Sequence, residues 1–142
     1  MTVTDVNRSE YGVPFWKGCA RGELLVQYCS HCDRRISPPE PVCPHCISSE
    51  LIWINSKQTG TVYSYSVVHR SPGPGFPAPY VLAVVDMDDG WSLLTNVVVD
   101  DPVEHHLIKS GSRVRLSFAA AGDGSGKVPI FRLEPKKGCP PK

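Results

Sequence analysis

The second half of the chain alternates between apolar and polar residues as half-buried β-strands do. Five such segments follow one another: GTVYSYSVVH (60–69), YVLAVVDM (80–87), WSLLTNVVV (91–99), RVRLSFAA (113–120) and VPIFRLE (128–134). The second segment is a continuous apolar run, whereas the first and fourth alternate clearly. This pattern predicts a mostly β protein.

A short helix is predicted between the third and fourth strands. Asp101 can cap it, Pro102 suits its first turn, and Gly111 supplies the stop. Three strands, a short helix and two further strands are the order of a five-stranded OB-fold barrel. An unrelated small β-barrel would give a similar order, so that alternative stays open at this point.

Two details of these strands can be predicted. Strict alternation in the first strand places Tyr63, Tyr65 and Val67 on one face. Pro129 lacks the N–H that a central strand uses, which indicates an edge position for the last strand.

The first half of the chain begins with a polar segment and then PFWKGCARGELLVQ (14–27). Pro14 can occupy the first turn of a helix, and Phe15, Cys19 and Ala20 have helical spacing. Glycines within the segment predict that this helix is short. Phe15 and Trp16 can either pack on the domain's own core or act as anchors for a partner, where aromatic residues are preferred.

Two C-x-x-C pairs lie in CSHCDRRISPPEPVCPHC (29–46). Each pair makes a tight turn whose sulfurs converge on one ion, and two pairs complete a four-sulfur site. Zinc is the expected metal, iron is the alternative, and a thioredoxin-like redox pair is disfavoured because no βαβ pattern surrounds it. His31 and His45 lie inside the turns and are expected at the surface. The predicted ligands are Cys29, Cys32, Cys43 and Cys46.

The composition and charge of the chain disfavour binding to nucleic acid and to membranes. The chain of 142 residues has 15 Lys+Arg and 14 Asp+Glu, which disfavours a strong electrostatic hold on nucleic acid or anionic membrane. No apolar run approaches the roughly 18 residues of a membrane span. The first residues show no secretory signal, so we expect a cytoplasmic protein and a metal site rather than disulfides.

No catalytic constellation is evident in the sequence. There is no G-x-S-x-G elbow, and GDGSGK (122–127) fails as a phosphate-binding loop because Val128 follows the lysine. HRSPGPGFPAPY (69–80) stands out, because prolines pre-order a loop and OB-folds bind ligands near this position. Its candidate contact residues are His69, Arg70, Phe76 and Tyr80, and the alternative is an ordinary surface loop.

With these features in place, the chain resembles a known family. FWKGCARGELLVQYCSHC, PPEPVCPHC, GTVYSYSVVHR, PGFPAPYVLAVVDMDDG, LLTNVV and VPIFR carry the resemblance, which covers roughly residues 14–134. The family comprises thiolase-associated proteins with a rubredoxin-like zinc ribbon and an OB-fold, long filed as domain-of-unknown-function family thirty-five. The expected division is a flexible start with the short helix (1–27), the zinc ribbon (28–53), the OB-fold (54–135) and a disordered tail (136–142).

The resemblance implies a non-catalytic accessory subunit of a thiolase-superfamily acyl-CoA enzyme. The partner is expected to be a retro-aldol lyase on a steroid-type side-chain acyl-CoA, or a thiolase. This chain would stabilise that partner and help shape its acyl-CoA channel, in an assembly of two plus two chains. The metal expected in the four-cysteine site is structural zinc. The alternative function is a zinc-ribbon and OB-fold module that binds nucleic acid.

Overall fold

The computed structural model describes residues 10–73, 77–121 and 126–135. A 3₁₀ turn (Glu10–Gly12) leads into helix α1 (Val13–Ala20), and Pro14 lies in its first turn as predicted. The helix ends where the N–H of Arg21 bonds to the carbonyl of Gly18 at 2.9 Å and Gly22 takes a φ of 78°. The short N-terminal helix expected from the sequence is therefore confirmed.

Three antiparallel strands form the ribbon that carries the cysteines. They are β1 (Leu25–Cys29), β2 (Arg34–Ile36) and β3 (Leu51–Asn55), in the order β2–β1–β3. Strands β1 and β2 are short and partly polar, so their strand character depends on pairing across the cysteine turns.

The remaining strands close into a barrel in the order β4–β5–β6–β8–β7. They are β4 (Thr59–Val68), β5 (Tyr80–Met87), β6 (Ser92–Val98), β7 (Arg113–Ala120) and β8 (Lys127–Leu133). The helix between the third and fourth barrel strands is a 3₁₀ helix (Pro102–Leu107), and the Asp101 carboxylate accepts from the N–H of Val103 at 3.0 Å. The OB-fold prediction is confirmed.

The barrel core is built mainly from valines that alternate inward, with Phe131 at its centre. Val85, Val114 and Phe131 are completely buried, and Leu24 and Val26 of the ribbon side join the same cluster. A single apolar core thus extends from the barrel to the base of the ribbon. Gly60 is required for this closure, because a Cβ there would lie 2.6 Å from the carbonyl oxygen of Asp86.

A β-bulge corrects the prediction for the first barrel strand. Val62 pairs with Val85 but Ser64 pairs with Val84, so Tyr63 is an extra residue with no opposite partner. The bulge changes the face that each later residue presents. Tyr63 therefore does not share a regular alternating face with Tyr65.

The predicted edge position of the last strand is wrong. Strand β8 lies between β7 and β6 in the closed barrel. Pro129 is tolerated because the ladder to β6 pairs only Phe131 and Arg132, beyond the proline. On that side of Pro129 no ladder hydrogen bond is needed.

Candidate functional site

The cysteine turns have the same backbone geometry. The N–H of Asp33 bonds to the carbonyl of Cys29, and the N–H of Ile47 bonds to the carbonyl of Cys43, both at 2.9 Å. Asp33 and Ile47 close the turns with φ values of 59° and 63°. Each turn directs its two sulfurs to the same side, so the pair of turns forms one four-sulfur group.

The four sulfurs are spaced as metal ligands. All lie within 4.8 Å of one another, and the distances from Cys29 to Cys46 and from Cys32 to Cys43 are both 3.6 Å. A tetrahedral zinc site with Zn–S bonds of about 2.3 Å has sulfur–sulfur edges of roughly 3.8 Å. A disulfide would need about 2.05 Å. The donor set therefore fits a closed tetrahedral zinc site with no open position for substrate.

The thiols differ in proton affinity. Burial, followed by contacts with the neighbouring thiols, raises the pKa of Cys32 to about 12. Burial also acts to raise the pKa of Cys43, but the N–H groups of His45 and Cys46 outweigh it and bring that pKa to about 7. Zinc binding must therefore release protons from the site, since zinc binds thiolates.

The two histidines within the turns lie at the surface. His45 Nδ1 is 2.9 Å from Nη1 of Arg34, and His31 Nδ1 is 4.0 Å from a carboxylate oxygen of Glu50. Four cysteines already complete the donor set, so neither histidine is needed as a ligand.

The aromatic pair of α1 packs against the protein's own core. Phe15 contacts the barrel core, and Trp16 packs on a small cluster of Ala121, Val128 and Ile130. The two rings meet edge to face with centroids 5.0 Å apart. Both side chains are only partly buried, so their role as partner contacts stays a prediction.

The candidate loop joins β4 to β5. His69 and Arg70 are exposed directly after β4, and Tyr80 is half-buried opposite Val68. Phe76 lies outside the described residues. Of the four contact residues predicted in this loop, the structure therefore describes His69, Arg70 and Tyr80, and their role as contacts stays a prediction.

The register connects the end of this loop to the residues on which α1 packs. Tyr80 begins β5, and the next residue, Val81, lies opposite Val97 of β6. The neighbouring Val98 packs with Trp16 on the cluster of Ala121, Val128 and Ile130.

An apolar surface on the outside of the barrel was missed. Val84 pairs with Ser64 on one side and Leu94 on the other, and Leu82 lies two residues away on the same face. Tyr63 protrudes from the neighbouring bulge and is 68% exposed, and Leu94 is 65% exposed. We name this surface the outer β4–β6 face. Its signal in the sequence was the unbroken apolar run of β5, since a barrel strand with a solvated outer face should alternate.

A buried carboxylate joins the ribbon to the barrel and was also missed. Asp89, in the turn between β5 and β6, accepts a hydrogen bond from Ser56 Oγ at 3.0 Å and from the N–H of Lys57 at 3.3 Å. The oxygen that accepts from Lys57, Oδ2, also faces the ribbon and lies 3.3 Å from Nε of Arg35. The indole N–H of Trp91 donates to Ser56 Oγ at 2.8 Å. We name these groups the Asp89 latch.

Within residues 10–73, 77–121 and 126–135, none of the helices has the length and hydrophobicity that a membrane-spanning helix requires.

Two family models match successive parts of the chain. Residues 16–51 match the rubredoxin-like zinc ribbon domain of ChsH2, and residues 53–119 match its C-terminal OB-fold domain. The first match includes all four cysteines, and together with their geometry it identifies the cofactor as structural zinc.

Curated relatives fall into two groups. A probable enoyl-CoA hydratase alpha subunit of Thermomonospora curvata is 39% identical over 83% of this chain, and a 3-oxo-4,17-pregnadiene-20-carboxyl-CoA hydratase alpha subunit of Mycobacterium tuberculosis is 30% identical over 85%. The chain spans only 36% of the length of each. A DUF35 domain-containing scaffold protein of Methanocaldococcus jannaschii is 35% identical, with 70% of this chain and 72% of that protein covered.

A solved structure is similar over nearly the whole chain. It is described as an Ltp2-ChsH2(DUF35) aldolase, and the similarity has a TM-score of 0.80 at 32% identity. It covers 91% of this chain and 98% of that chain.

Proposed function

The chain belongs to the DUF35 family of zinc-ribbon and OB-fold proteins, and we propose from this that it is a non-catalytic scaffold subunit of an acyl-CoA enzyme. One observation carries the proposal most strongly. The chain covers 98% of its counterpart in an aldolase described by two components, Ltp2 and ChsH2(DUF35). The catalytic residues would then belong to the partner chain, and this chain would provide the surface that holds it.

The chemistry of the described residues supports a scaffold role. The four cysteines fill a tetrahedral coordination shell, which leaves no position for a metal-bound water. The polar contacts of His31, His45 and His106 go to Glu50, Arg34 and the backbone of Val103. None of these three contacts pairs a histidine with a nucleophilic hydroxyl or thiol.

The partner we propose is a thiolase-like chain. The aldolase match favours a retro-aldol lyase on a steroid-type side-chain acyl-CoA, and a thiolase is the second possibility for the same partner class. The pregnadiene carboxyl-CoA named for one relative is a substrate of this chemical type. We propose an assembly of two catalytic and two scaffold chains in which the scaffold stabilises its partner by mass action and borders the acyl-CoA channel.

The outer β4–β6 face is the surface that we assign to the catalytic partner. It combines Tyr63, Leu82, Val84 and Leu94 with small polar neighbours. Exposed apolar side chains of this kind, with an aromatic residue among them, are typical of interface centres.

Co-expression with the thiolase-like protein encoded nearest to this gene tests the proposal. The chain should co-purify with that protein, and native mass spectrometry should give a defined hetero-oligomer. Leu94→Arg should weaken the complex by at least about tenfold, because it places a charge at the interface centre. Leu107→Arg is the matched control, since Leu107 is 51% exposed on the 3₁₀ helix outside this face.

The two outcomes of this experiment separate two claims. A wild-type chain that forms no complex would refute the scaffold function. A Leu94→Arg chain that binds the partner as well as Leu107→Arg would refute the assigned face and leave the scaffold function standing.

The alternative function rests on two exposed tyrosines of the first barrel strand. Tyr63 and Tyr65 are 68% and 41% exposed and could stack on bases of a single strand. A fluorescence titration with single-stranded DNA and RNA tests this. Affinity that falls steeply with salt would support nucleic-acid binding.

A further inference from the structure

Two arginines face each other on the outside of β7 and β8. Arg115 lies directly opposite Arg132 in the antiparallel register. Like charges directly opposite on adjacent strands destabilise a sheet, so this pair needs compensation. Both residues line a cleft of about 270 Å³ together with Ser117, Glu134 and three apolar residues, Leu116, Leu133 and Pro135.

Among the described residues, the compensation of these two charges is incomplete. Arg115 Nη2 is 3.4 Å from a carboxylate oxygen of Glu134, and Arg132 Nη1 donates to Asp100 at 3.0 Å. Asp100 is 92% exposed, so its pairing with Arg132 is weak in water. By contrast, Arg113 on the same strand makes two hydrogen bonds of 2.7 Å to Asp88. Arg113 is held by a bidentate contact, whereas the carboxylate contacts of Arg115 and Arg132 among the described residues involve one terminal nitrogen each.

We infer that this cleft binds a phosphate-bearing ligand, with a diphosphate group as the best fit. Guanidinium groups bind phosphate oxygens through two parallel N–H bonds, and two of them can hold adjacent phosphates. Ser117, whose hydroxyl can donate a hydrogen bond, also lines the cleft. A volume of about 270 Å³ accepts a diphosphate but not a whole acyl-CoA.

This inference is independent of the proposed scaffold function, because the cleft lies within one chain. Two sources could supply the ligand. One is free inorganic diphosphate or a similar small anion. The other is the diphosphate of coenzyme A, which would place the acyl carrier on β7 and β8.

Calorimetric titration of the zinc-loaded full chain with inorganic diphosphate tests the site. We expect saturable binding of one diphosphate, and a loss of affinity of about tenfold or more in both Arg115→Gln and Arg132→Gln. Arg21→Gln is the matched control, since Arg21 is an exposed, ion-paired arginine outside the cleft. Zinc content and thermal unfolding of each variant verify that it is folded.

A gain of affinity gives a second test that misfolding cannot mimic. Glu134→Gln removes the carboxylate that competes for Arg115, so this variant should bind diphosphate several-fold more tightly. Absence of saturable binding, or an equal loss in Arg21→Gln, would overturn the site. Weaker binding by Glu134→Gln would do the same.

Competition experiments identify the source of the phosphate. Coenzyme A that displaces diphosphate, while pantetheine does not, assigns the site to the coenzyme's phosphates. Diphosphate that binds without competition from coenzyme A assigns it to a free anion. A polyglutamate peptide that binds as tightly, with the same loss in Arg132→Gln, would overturn the phosphate assignment.

Discussion

Asp89→Asn should uncouple the zinc ribbon from the barrel. The side chain is 5% exposed, and it receives hydrogen bonds from Ser56 and Lys57, which connect the ribbon to β4. On the ribbon, Arg35 pairs with the same carboxylate at 3.3 Å, and its Nε atom has no hydrogen-bond partner among the described residues. Asparagine keeps the shape of the side chain but removes the charge that Arg35 faces.

The expected cost follows from this geometry. At 3.3 Å and an effective dielectric constant of 20, the attraction between the charges of Asp89 and Arg35 is ~5 kcal/mol before desolvation is subtracted. Arg35 is 30% exposed and can recover part of its hydration when the partner is neutral. Asparagine removes the charge partner of Arg35 and one of the two carboxylate oxygens that accept from Ser56 and Lys57. Together these losses give a net destabilisation of about 2–3 kcal/mol.

Urea unfolding of the zinc-loaded chain, followed by tryptophan fluorescence, measures this effect. Trp91 is a suitable reporter because its indole donates to Ser56 Oγ within the Asp89 latch. A double-mutant cycle with Arg35→Met isolates the interaction between the two charges. We expect a coupling free energy of about 1–2 kcal/mol between Asp89 and Arg35.

Asp86→Asn is the matched control. Asp86 lies on the same hairpin, is exposed, and accepts a bond from Ser92 Oγ at 2.6 Å. Its substitution should cost less than about 1 kcal/mol. An Asp89→Asn chain within about 0.5 kcal/mol of wild type, or a coupling near zero, would refute the latch as a stabilising element.

Three further predictions concern the zinc site, the ion pair between Asp88 and Arg113, and the close packing at Gly60. Zinc affinity, measured with a chromophoric chelator, should fall at least about tenfold per pH unit on acidification, because Cys32, with its pKa raised to about 12, must lose a proton to bind; a pH-independent affinity would contradict thiolate ligation. The bidentate Arg113 holds the pKa of Asp88 well below its usual range, so this pair stabilises the fold above pH ~4 and the contribution is lost below it. The destabilisation by Asp88→Asn should therefore shrink between pH 7 and pH 3 in urea unfolding, and an unchanged difference would contradict the assignment. Gly60→Ala should lower the free energy of unfolding by about 2 kcal/mol, because its Cβ would collide with the carbonyl of Asp86; an unchanged urea midpoint would contradict this.

Local patterns were sufficient for most of the fold and for the metal site. The two C-x-x-C pairs specify both the turns and the ligands, because each pair acts within four residues. The barrel strands and the capped helix after Asp101 could also be predicted from the sequence, because alternation and capping depend on neighbouring residues. The comparisons with known proteins then confirmed the family that these motifs indicated.

Features that depend on distant pairing could not be predicted. The bulge at Tyr63 shifts the register between β4 and β5 by one residue, and the residue types of the two strands do not indicate this shift. The contact between Arg35 and Asp89 joins a ribbon strand to a barrel turn, so neither residue indicates its partner. The preference of aspartate for turns accounts for the position of Asp89 but not for the burial of its side chain.

The most direct test of the scaffold function is reconstitution of activity from separately purified chains. The thiolase-like partner would be assayed with a steroid-type side-chain acyl-CoA, alone and with increasing amounts of this chain. We predict negligible turnover by either chain alone and a rise in turnover that saturates at one copy of this chain per partner chain. Full turnover by the partner alone, or turnover by this chain alone, would contradict the scaffold function.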